Sequence, residues 1–370
     1  MKELSKQEIE DLLQGAKVLG AGGGGEIEWA RPMIEDVYSK GKTFSLVDPK
    51  DLPDDEYVAI VGLVGGGVSE AVKKKVAGLP RIQKPEIVAT TELSNYLNKE
   101  LYAFIASEIG AGNSIVPLYV GAMTDRPAVD ADCCGRAKPE IVNSTTNVKG
   151  IPVTPLAIVS PFGDKMILRE AVNDSRAEDI CRYMAIVSGG MCGVARCPTK
   201  GKDIRTAIVH NSITNAIRIG REVREAIEQE QNPVNALIKS IGGFKFFEGE
   251  LTSFTREEEG AFIWGEIEAI GKNDYLGDTL RVWYKNEFLI SYKNEQPFIT
   301  CPDTICIVDA ITAKGLSNWG GDFQRGRPVV VFGVPAHELW RTERGLELFS
   351  PKYFGYDIEY NPIEDLVKED

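Results

Sequence analysis

Short apolar runs alternate with helix-like segments over residues 1–160. The clearest run, Tyr57–Val64, is almost continuously apolar, which is typical of a strand buried in a parallel sheet. Weaker runs at 43–47, 101–106 and 127–130 predict further strands. Because these strands alternate with predicted helices, the pattern favours an α/β fold with a mainly parallel sheet and flanking helices.

The character of the chain changes towards its C-terminus. Residues 174–187 and 203–230 have the periodicity of two longer helices. Residues 243–350 instead carry short β-rich runs separated by Gly, Asn and Pro turns, which predicts a smaller all-β domain, a sandwich or a barrel. We therefore expect an α/β domain over 1–232, which carries the site, and a β-rich domain over 233–370.

Composition and net charge limit the classes of partner that we expect and indicate a cellular compartment. The chain has 370 residues and a formal net charge of −13, a field that repels nucleic-acid phosphates and anionic membranes. No stretch approaches the roughly 20 apolar residues that would span a bilayer, and the opening segment MKELSKQEIEDLLQG lacks the apolar region of a secretory signal. Seven cysteines, an odd number, do not suggest a disulfide framework, so we expect a cytoplasmic protein.

A run of glycines, Gly20-Ala-Gly22-Gly-Gly-Gly25, matches G-x-G-x-x-G and precedes a predicted helix. Its context does not fit a dinucleotide site, because the preceding apolar strand covers only Lys17–Leu19 and Asp48 comes too late to bind a ribose. No nicotinamide or flavin is expected. The run is either a loop that approaches some other ligand, through Gly22, Gly23 and Gly24, or a tight turn where backbone packs on backbone.

Three loops follow predicted strands, at 62–70, 107–113 and 130–136. Ligands in open α/β sheets bind beyond the carboxyl ends of the strands, so neighbouring strands would bring these loops together around one small polar ligand. The candidate catalytic residues are Glu108, Asp130, Asp132, Cys134 and Arg136. The candidate substrate-binding residues are Gly22, Gly23, Gly24, Gly66, Asn113, Glu140 and His210.

The segment DADCCGR carries the most chemistry. Asp130 and Asp132 face the same side of an extended chain, which suits an acid/base pair or a shared metal. A Cys134 thiolate near Arg136 would have a lowered pKa and could act as a nucleophile. Asp and Gly are also common turn residues at strand ends, and the cysteines could serve only as small apolar residues.

The sequence also allows one divalent metal such as zinc, with Asp132, Cys134 and His210 as candidate ligands. Two histidines are too few for a three-histidine site. His210 belongs to a polar strip with Asn211 and Thr214 on a predicted helix. This strip is either a solvated face or a source of one ligand or proton donor.

Five segments occur in an order that resembles the S-methyl thiohydantoin desulfurase-like family, which is associated with hydantoin utilisation. They are LGAGGGGE, VGLVGGG, SEIGAGNSIVPL, RPAVDADCCGRAKPEI and RGLELFSPKYFGYDIEYNPIE. The resemblance covers nearly the whole chain and implies removal of sulfur from a five-membered ring, with water replacing a thiolate at an amidine-like carbon. By this resemblance, Asp130 or Asp132 would act as a base or a metal ligand, and Arg136 would stabilise the reacting group. Glu108 and Asn113 would bind the ring.

The chain departs from the family's commoner motif Asp-Gly-Met-Gly-Arg-Ala-Phe-Pro-Glu at Cys133, Cys134 and Lys138. A mechanism shared by the family therefore cannot depend on either thiol. Our leading interpretation is a hydrolase-like desulfurase or amidohydrolase that forms a homo-oligomer and acts on a small cyclic amide or thioamide. The alternative is a binding module, either a non-catalytic partner subunit of a hydantoinase-type enzyme or a protein that binds a small ligand or nucleotide.

Overall fold

A computed structural model describes residues 1–65, 67–260, 262–319 and 321–367, and it contains two sheets. The strands of the first sheet, sheet A, are β1 (Lys2–Leu4), β2 (Phe44–Val47), β3 (Tyr57–Gly65), β4 (Leu101–Ala106), β5 (Ala128–Asp132), β6 (Leu156–Val159), β7 (Lys165–Leu168), β8 (Met191–Lys200) and β9 (Val209–His210). The strands of the second sheet, sheet B, are β10 (Phe244–Phe254), β11 (Glu257–Glu259), β12 (Phe262–Gly271), β13 (Thr279–Lys285), β14 (Glu287–Lys293), β15 (Gln296–Thr300), β16 (Thr304–Asp309) and β17 (Pro328–Val334).

Sheet A has the strand order β1-β2-β5-β4-β3-β8-β6-β7, with β9 paired to β5. Strands β2, β5, β4 and β3 are mutually parallel, as the apolar runs predicted. The other pairings in the sheet are antiparallel, so a mainly parallel sheet is corrected to a mixed one. The reason is that the β6–β7 hairpin and the long strand β8 extend the sheet beyond β3, and the sequence pattern did not reveal them.

Most of the helices pack on sheet A or link it to sheet B, whereas α12 packs on sheet B. They are α1 (Lys6–Leu19), α2 (Ile27–Ser39), α3 (Glu70–Val76), α4 (Pro85–Leu97), α5 (Ile115–Thr124), α6 (Thr145–Val148), α7 (Asp174–Val187), α8 (Gly201–Ile204), α9 (Ser212–Glu228), α10 (Pro233–Ile241), α11 (Glu343–Leu348) and α12 (Ile363–Leu366). Among these described helices none is both long and apolar enough to cross a membrane.

Two local expectations about helices are wrong. The segment Lys17–Leu19 is the end of α1, not a strand, because the helix that the Ser5–Glu8 capping box starts continues to Leu19. The segment 203–230 is not one helix. Val209–His210 forms the short strand β9, and Asn211, with a φ of +58°, turns the chain into α9.

Sheet B is all-antiparallel, as expected, with the order β15-β14-β13-β12-β10-β17-β16 and with β11 added to β12. Its two end strands, β15 and β16, contact each other, so the sheet curls towards closure. Its own core contains Phe247, Tyr284 and Phe288. A second cluster joins Leu12 of α1 to Phe332 of β17, so the two sheets share apolar packing across the division that the sequence predicted at residue 232.

Candidate functional site

A cavity of about 180 Å³ lies at the carboxyl ends of β3 and β4, where sheet A meets the turn between β13 and β14. We call it the central cavity. Because β3 and β4 are parallel neighbours, Gly65 and Ser107 reach the same edge of the sheet. The antiparallel strand β8 adds residues from its first half. The polar side chains that line the cavity are Ser107, Glu108, Asn113, Lys138, Glu140, Arg182, Arg196, Asn286 and Glu287.

Glu108 follows β4 and is almost completely buried. Its Oε1 accepts a hydrogen bond from Asn113 Nδ2 at 2.6 Å, and its Oε2 accepts one from the backbone N–H of Lys138 at 3.1 Å. Burial raises the pKa of this carboxyl, while the charge of Lys138 and the hydrogen bond from Asn113 oppose the rise. The anionic form of Glu108 is therefore stabilised by hydrogen-bond donors and a nearby positive charge, although the residue is buried.

Glu287 begins β14 and enters the same cavity from sheet B. It is 3% exposed, and its Oε2 has no hydrogen-bond partner among the described residues. Burial raises its pKa well above the ordinary value, and the nearby charge of Glu108 raises it further. A Cβ at residue 23 would lie 2.0 Å from Glu287 Oε1, so any side chain at that position would displace the carboxyl.

Arg196 brings a guanidinium from the middle of β8, and the residue is 1% exposed. Its Nη2 donates to Ser107 Oγ at 2.9 Å. Its Nη1 is buried and has no partner within the described parts of the chain. A buried cationic donor without an acceptor is costly, so this nitrogen is a natural place for an oxygen or an anionic atom of a ligand.

Lys138 is buried in the wall of the cavity. Its Nζ donates to the carbonyl oxygens of Glu140 at 3.0 Å and Ile141 at 3.4 Å. Burial lowers the pKa of this amine, the charge of Arg196 lowers it further, and the charge of Glu108 opposes the shift. The position where the chain departs from the commoner family motif thus adds a second buried cation to the site.

An ion pair and several hydrogen bonds hold the loops around the cavity in place. Glu140 pairs with Lys285 of sheet B and accepts a hydrogen bond from Tyr353 Oη at 2.6 Å. Arg182 of α7 donates to the carbonyl oxygens of Gly65 at 2.9 Å and Pro139 at 2.7 Å. These contacts hold the loops after β3 and β5 in place, so Glu140 lines the cavity with both carboxylate oxygens already engaged.

The glycine run forms a close backbone contact beside the cavity. Gly24, with a φ of +74°, lies against Gly110, and its carbonyl oxygen accepts hydrogen bonds from the N–H groups of Gly112 and Asn113. A side chain at Gly22 would instead collide with the ring of Phe288. The run therefore positions the loop that carries Glu108 and Asn113, and Gly24 lines the cavity itself. Gly66, a substrate-binding candidate, lies outside the described residues.

The carboxylates of DADCCGR do not line the central cavity. Asp130 accepts hydrogen bonds from the backbone and side chain of Thr214, at the start of α9. Asp132 is fully buried, and its Oδ2 accepts from the N–H groups of Cys134 at 2.8 Å and Gly135 at 2.7 Å. Burial raises the pKa of Asp132 to about 7. In this structure both carboxylates stabilise a strand end and a helix start.

Cys134 and Arg136 also lie outside the lining of the central cavity. Burial raises the pKa of the Cys134 thiol, and the charges of Lys138 and Arg136 only partly oppose this, so the expected activation of the thiol is corrected. Arg136 donates to the carbonyl oxygens of Ala137 at 3.0 Å, Asp303 at 2.8 Å and Phe288 at 2.7 Å. Its guanidinium thus joins the loop after β5 to sheet B.

The three candidate metal ligands do not converge on one point. Nε2 of His210 lies 2.6 Å from the carbonyl oxygen of Arg205, and His210 does not line the cavity. Cys134 belongs to an apolar cluster with Trp340 and Phe349. Within the described ranges no group of three or more His, Cys, Asp or Glu side chains is arranged to hold a metal ion. All seven cysteines are buried and free.

Four charged residues of the cavity were missed as candidates, namely Lys138, Arg182, Arg196 and Glu287. For Arg196 there was a signal, since an arginine stands alone in the otherwise apolar and small segment CGVARC. A charge inside a buried strand needs a partner or a ligand. Glu287 gave no such signal, because an acidic residue after an asparagine in a hairpin is ordinary turn chemistry.

Comparison with known proteins identifies the family. The model of the S-Me-THD-like N-terminal domain matches residues 7–170, and that of the S-Me-THD-like C-terminal domain matches residues 172–363. A crystal structure of a protein from Chromobacterium violaceum, solved as a structural-genomics target, has the same fold, with a TM-score of 0.79 and 22% identity over 98% of this chain and 100% of that chain. Among curated proteins none matches the sequence. The two family models together span almost the entire chain, which therefore belongs to the S-methyl thiohydantoin desulfurase-like family.

Proposed function

We propose that this chain is an enzyme that replaces a sulfur substituent on a thiohydantoin-type ring by water. The observation that carries the proposal is the pair of buried carboxyls, Glu108 and Glu287, which enter one cavity beside the unpartnered Nη1 of Arg196. Two carboxyls in different environments are the usual means of combining a general base with a general acid. Membership of the family supports the choice of ring.

The two carboxyls take different roles because their partners differ. Asn113 and Lys138 donate to Glu108 and favour its anionic form, which suits a base. Glu287 has a pKa raised well above the ordinary value and no donor on Oε2, so its protonated form is favoured and it suits an acid. Arg196 Nη1 would bind the carbonyl oxygen that remains on the ring and would draw electrons from the reacting carbon.

The reaction that these roles support is balanced in protons. Glu108 takes a proton from a water molecule while the oxygen of that water bonds to the ring carbon between the two nitrogens. Glu287 donates its proton to the ring nitrogen of the C=N bond. The C–S bond then breaks, Glu108 returns its proton to the departing thiolate, and the new hydroxyl gives its proton to Glu287. One ring and one water thus give one thiol and one ring carbonyl, and both carboxyls regain their starting states.

The experiment is to incubate the purified chain with a 2-methylthio ring of this type and to measure methanethiol and hydantoin together. We expect equal amounts of both, and a fall of about 10²- to 10⁴-fold in kcat for Glu108→Gln and for Glu287→Gln. Glu222→Gln, on α9 outside the cavity, is the matched control. Normal turnover in both cavity variants overturns the assignment. Ring binding without thiol release favours the alternative, a non-catalytic binding module.

A further inference from the structure

A second chamber, of about 430 Å³, adjoins the central cavity. We call it the side chamber. Four residues line both spaces, Trp29, Leu63, Asn113 and Met191, so the two spaces share a border. The remaining lining of the side chamber comes from α2, α4, α5 and nearby loops, and it consists of Met33, Arg81, Pro85, Glu86, Gly112, Val116, Pro161, Ser188 and Gly189.

The border between the two spaces is apolar and partly open. Trp29 and Met191 are each 40% exposed, although large hydrophobic side chains at such a position would normally be covered. The Trp29 ring meets the Trp319 ring edge to face, with centroids 5.1 Å apart, and Trp319 lines the central cavity. Met33 and Val116, together with the border residue Leu63, extend the apolar surface of the chamber.

We propose that the side chamber binds an apolar substituent on the ring, of the size of an isobutyl or benzyl group, while the ring itself occupies the central cavity. The inference rests on the proposed function and extends it to a substrate class: rings derived from amino acids with hydrophobic side chains. Apolar clefts that adjoin a few convergent polar groups are the common form of small-molecule sites. Because four residues line both spaces, one ligand can extend from the central cavity into the side chamber.

Size and the apolar lining favour this occupant over two others. A methylthio leaving group displaces only a few tens of Å³, roughly the volume share of one or two water molecules, and it would leave most of the chamber empty. A carboxylate substituent would lose its hydration against the apolar part of the wall, and Glu86 and Arg81, which both line the chamber, do not by their charges decide between substituents. An uncharged substituent with several carbons fills more of the volume and matches the apolar part of the surface.

The test compares three 2-methylthio rings that are unsubstituted, isobutyl-substituted or carboxymethyl-substituted at the carbon that bears the amino-acid side chain. We expect kcat/KM for the isobutyl ring to exceed the other two by at least about tenfold. In Met33→Gln, which makes one wall polar, this preference falls about tenfold. Met166→Gln is the matched control, because Met166 is a partly buried methionine on β7 outside both spaces.

Binding of the three corresponding hydantoins, measured by calorimetry, separates this inference from the proposed reaction. Preferential binding of the isobutyl hydantoin without any turnover supports the side chamber and refutes the desulfurase. Turnover of all three rings with equal kcat/KM, unchanged in Met33→Gln, overturns the side chamber and leaves the reaction standing. If no ring is bound or turned over, both proposals are refuted.

Discussion

The backbone N–H of Lys138 donates a hydrogen bond to Oε2 of Glu108 at 3.1 Å. The ammonium group of the same lysine lies buried in the cavity wall and favours the anionic form of that carboxyl. The loop after β5 thereby opposes the rise in pKa that burial causes in a residue that follows β4. Since Lys138 stands where the commoner family motif has an apolar residue, we expect the pH dependence of the proposed reaction to depend on this lysine.

Lys138→Met should move the pH dependence of the reaction. Removing the cation takes away an interaction that lowers the pKa of Glu108, so this pKa rises further. A base acts only when deprotonated, and the acidic limb of the pH profile of kcat/KM should therefore shift to higher pH. Lys202→Met, on α8 away from the cavity, is the control. An unshifted limb with unchanged kcat/KM would show that Lys138 does not tune the base.

Cys134→Ala should keep its turnover. The thiol lies in the cluster of Trp340 and Phe349 and does not line the cavity, and burial raises its pKa, which disfavours the thiolate. Loss of the sulfur atom should lower the free energy of unfolding by about 1 kcal/mol through a small packing defect. A fall in kcat of more than about tenfold, with stability preserved, would instead restore the thiol as a nucleophile.

Arg136→Met should weaken the fold more than the chemistry. Its guanidinium donates to three carbonyl oxygens, of which that of Phe288 lies on β14 and that of Asp303 lies in the turn before β16. Hydrogen bonds to a buried charge stabilise by about 1.5–3 kcal/mol each, so we expect the free energy of unfolding in urea to fall by at least about 3 kcal/mol. Arg325→Met, at an exposed arginine, serves as the comparison. Unchanged stability with lost turnover would favour a direct role for Arg136 in the reaction.

Asp132→Asn should make the free energy of unfolding less dependent on pH. The folded pKa of Asp132 is about 7, against an ordinary value of 3.8, so between these values the unfolded chain releases a proton that the folded chain keeps. The stabilising contribution is complete below pH 3.8 and is lost as pH rises through 7. This cost is on the order of 4 kcal/mol at full ionisation.

Unfolding in urea at pH 4, 6 and 8 would measure that effect. The difference in unfolding free energy between the native chain and Asp132→Asn should shift against the native chain as pH rises. Asp274→Asn, at an exposed carboxyl, should show no such trend. If the difference stays constant, the folded pKa of Asp132 is not raised.

Local pattern predicted several of the elements and brought two candidate residues to the cavity. Strand β3 and helix α7 match the apolar runs and the helical period, because burial of one face imposes a period on nearby residues. Glu108 and Asn113 line the cavity, since a loop after a parallel strand must reach the carboxyl edge of the sheet. The glycine run contains the close backbone contact that was one of its interpretations, and Gly24 also lines the cavity.

Tertiary structure alone decided which acidic residues face the cavity. Asp130 and Asp132 have the spacing of an acid pair, but their oxygens bind Thr214 and the N–H groups after β5, contacts that spacing does not encode. Glu287 and Arg196 arrive from a hairpin of sheet B and from a strand antiparallel to β3. Their meeting depends on pairings between distant parts of the chain. A periodic sequence pattern indicates only whether a residue is buried. Which residues it contacts in the interior depends on how the two sheets pack.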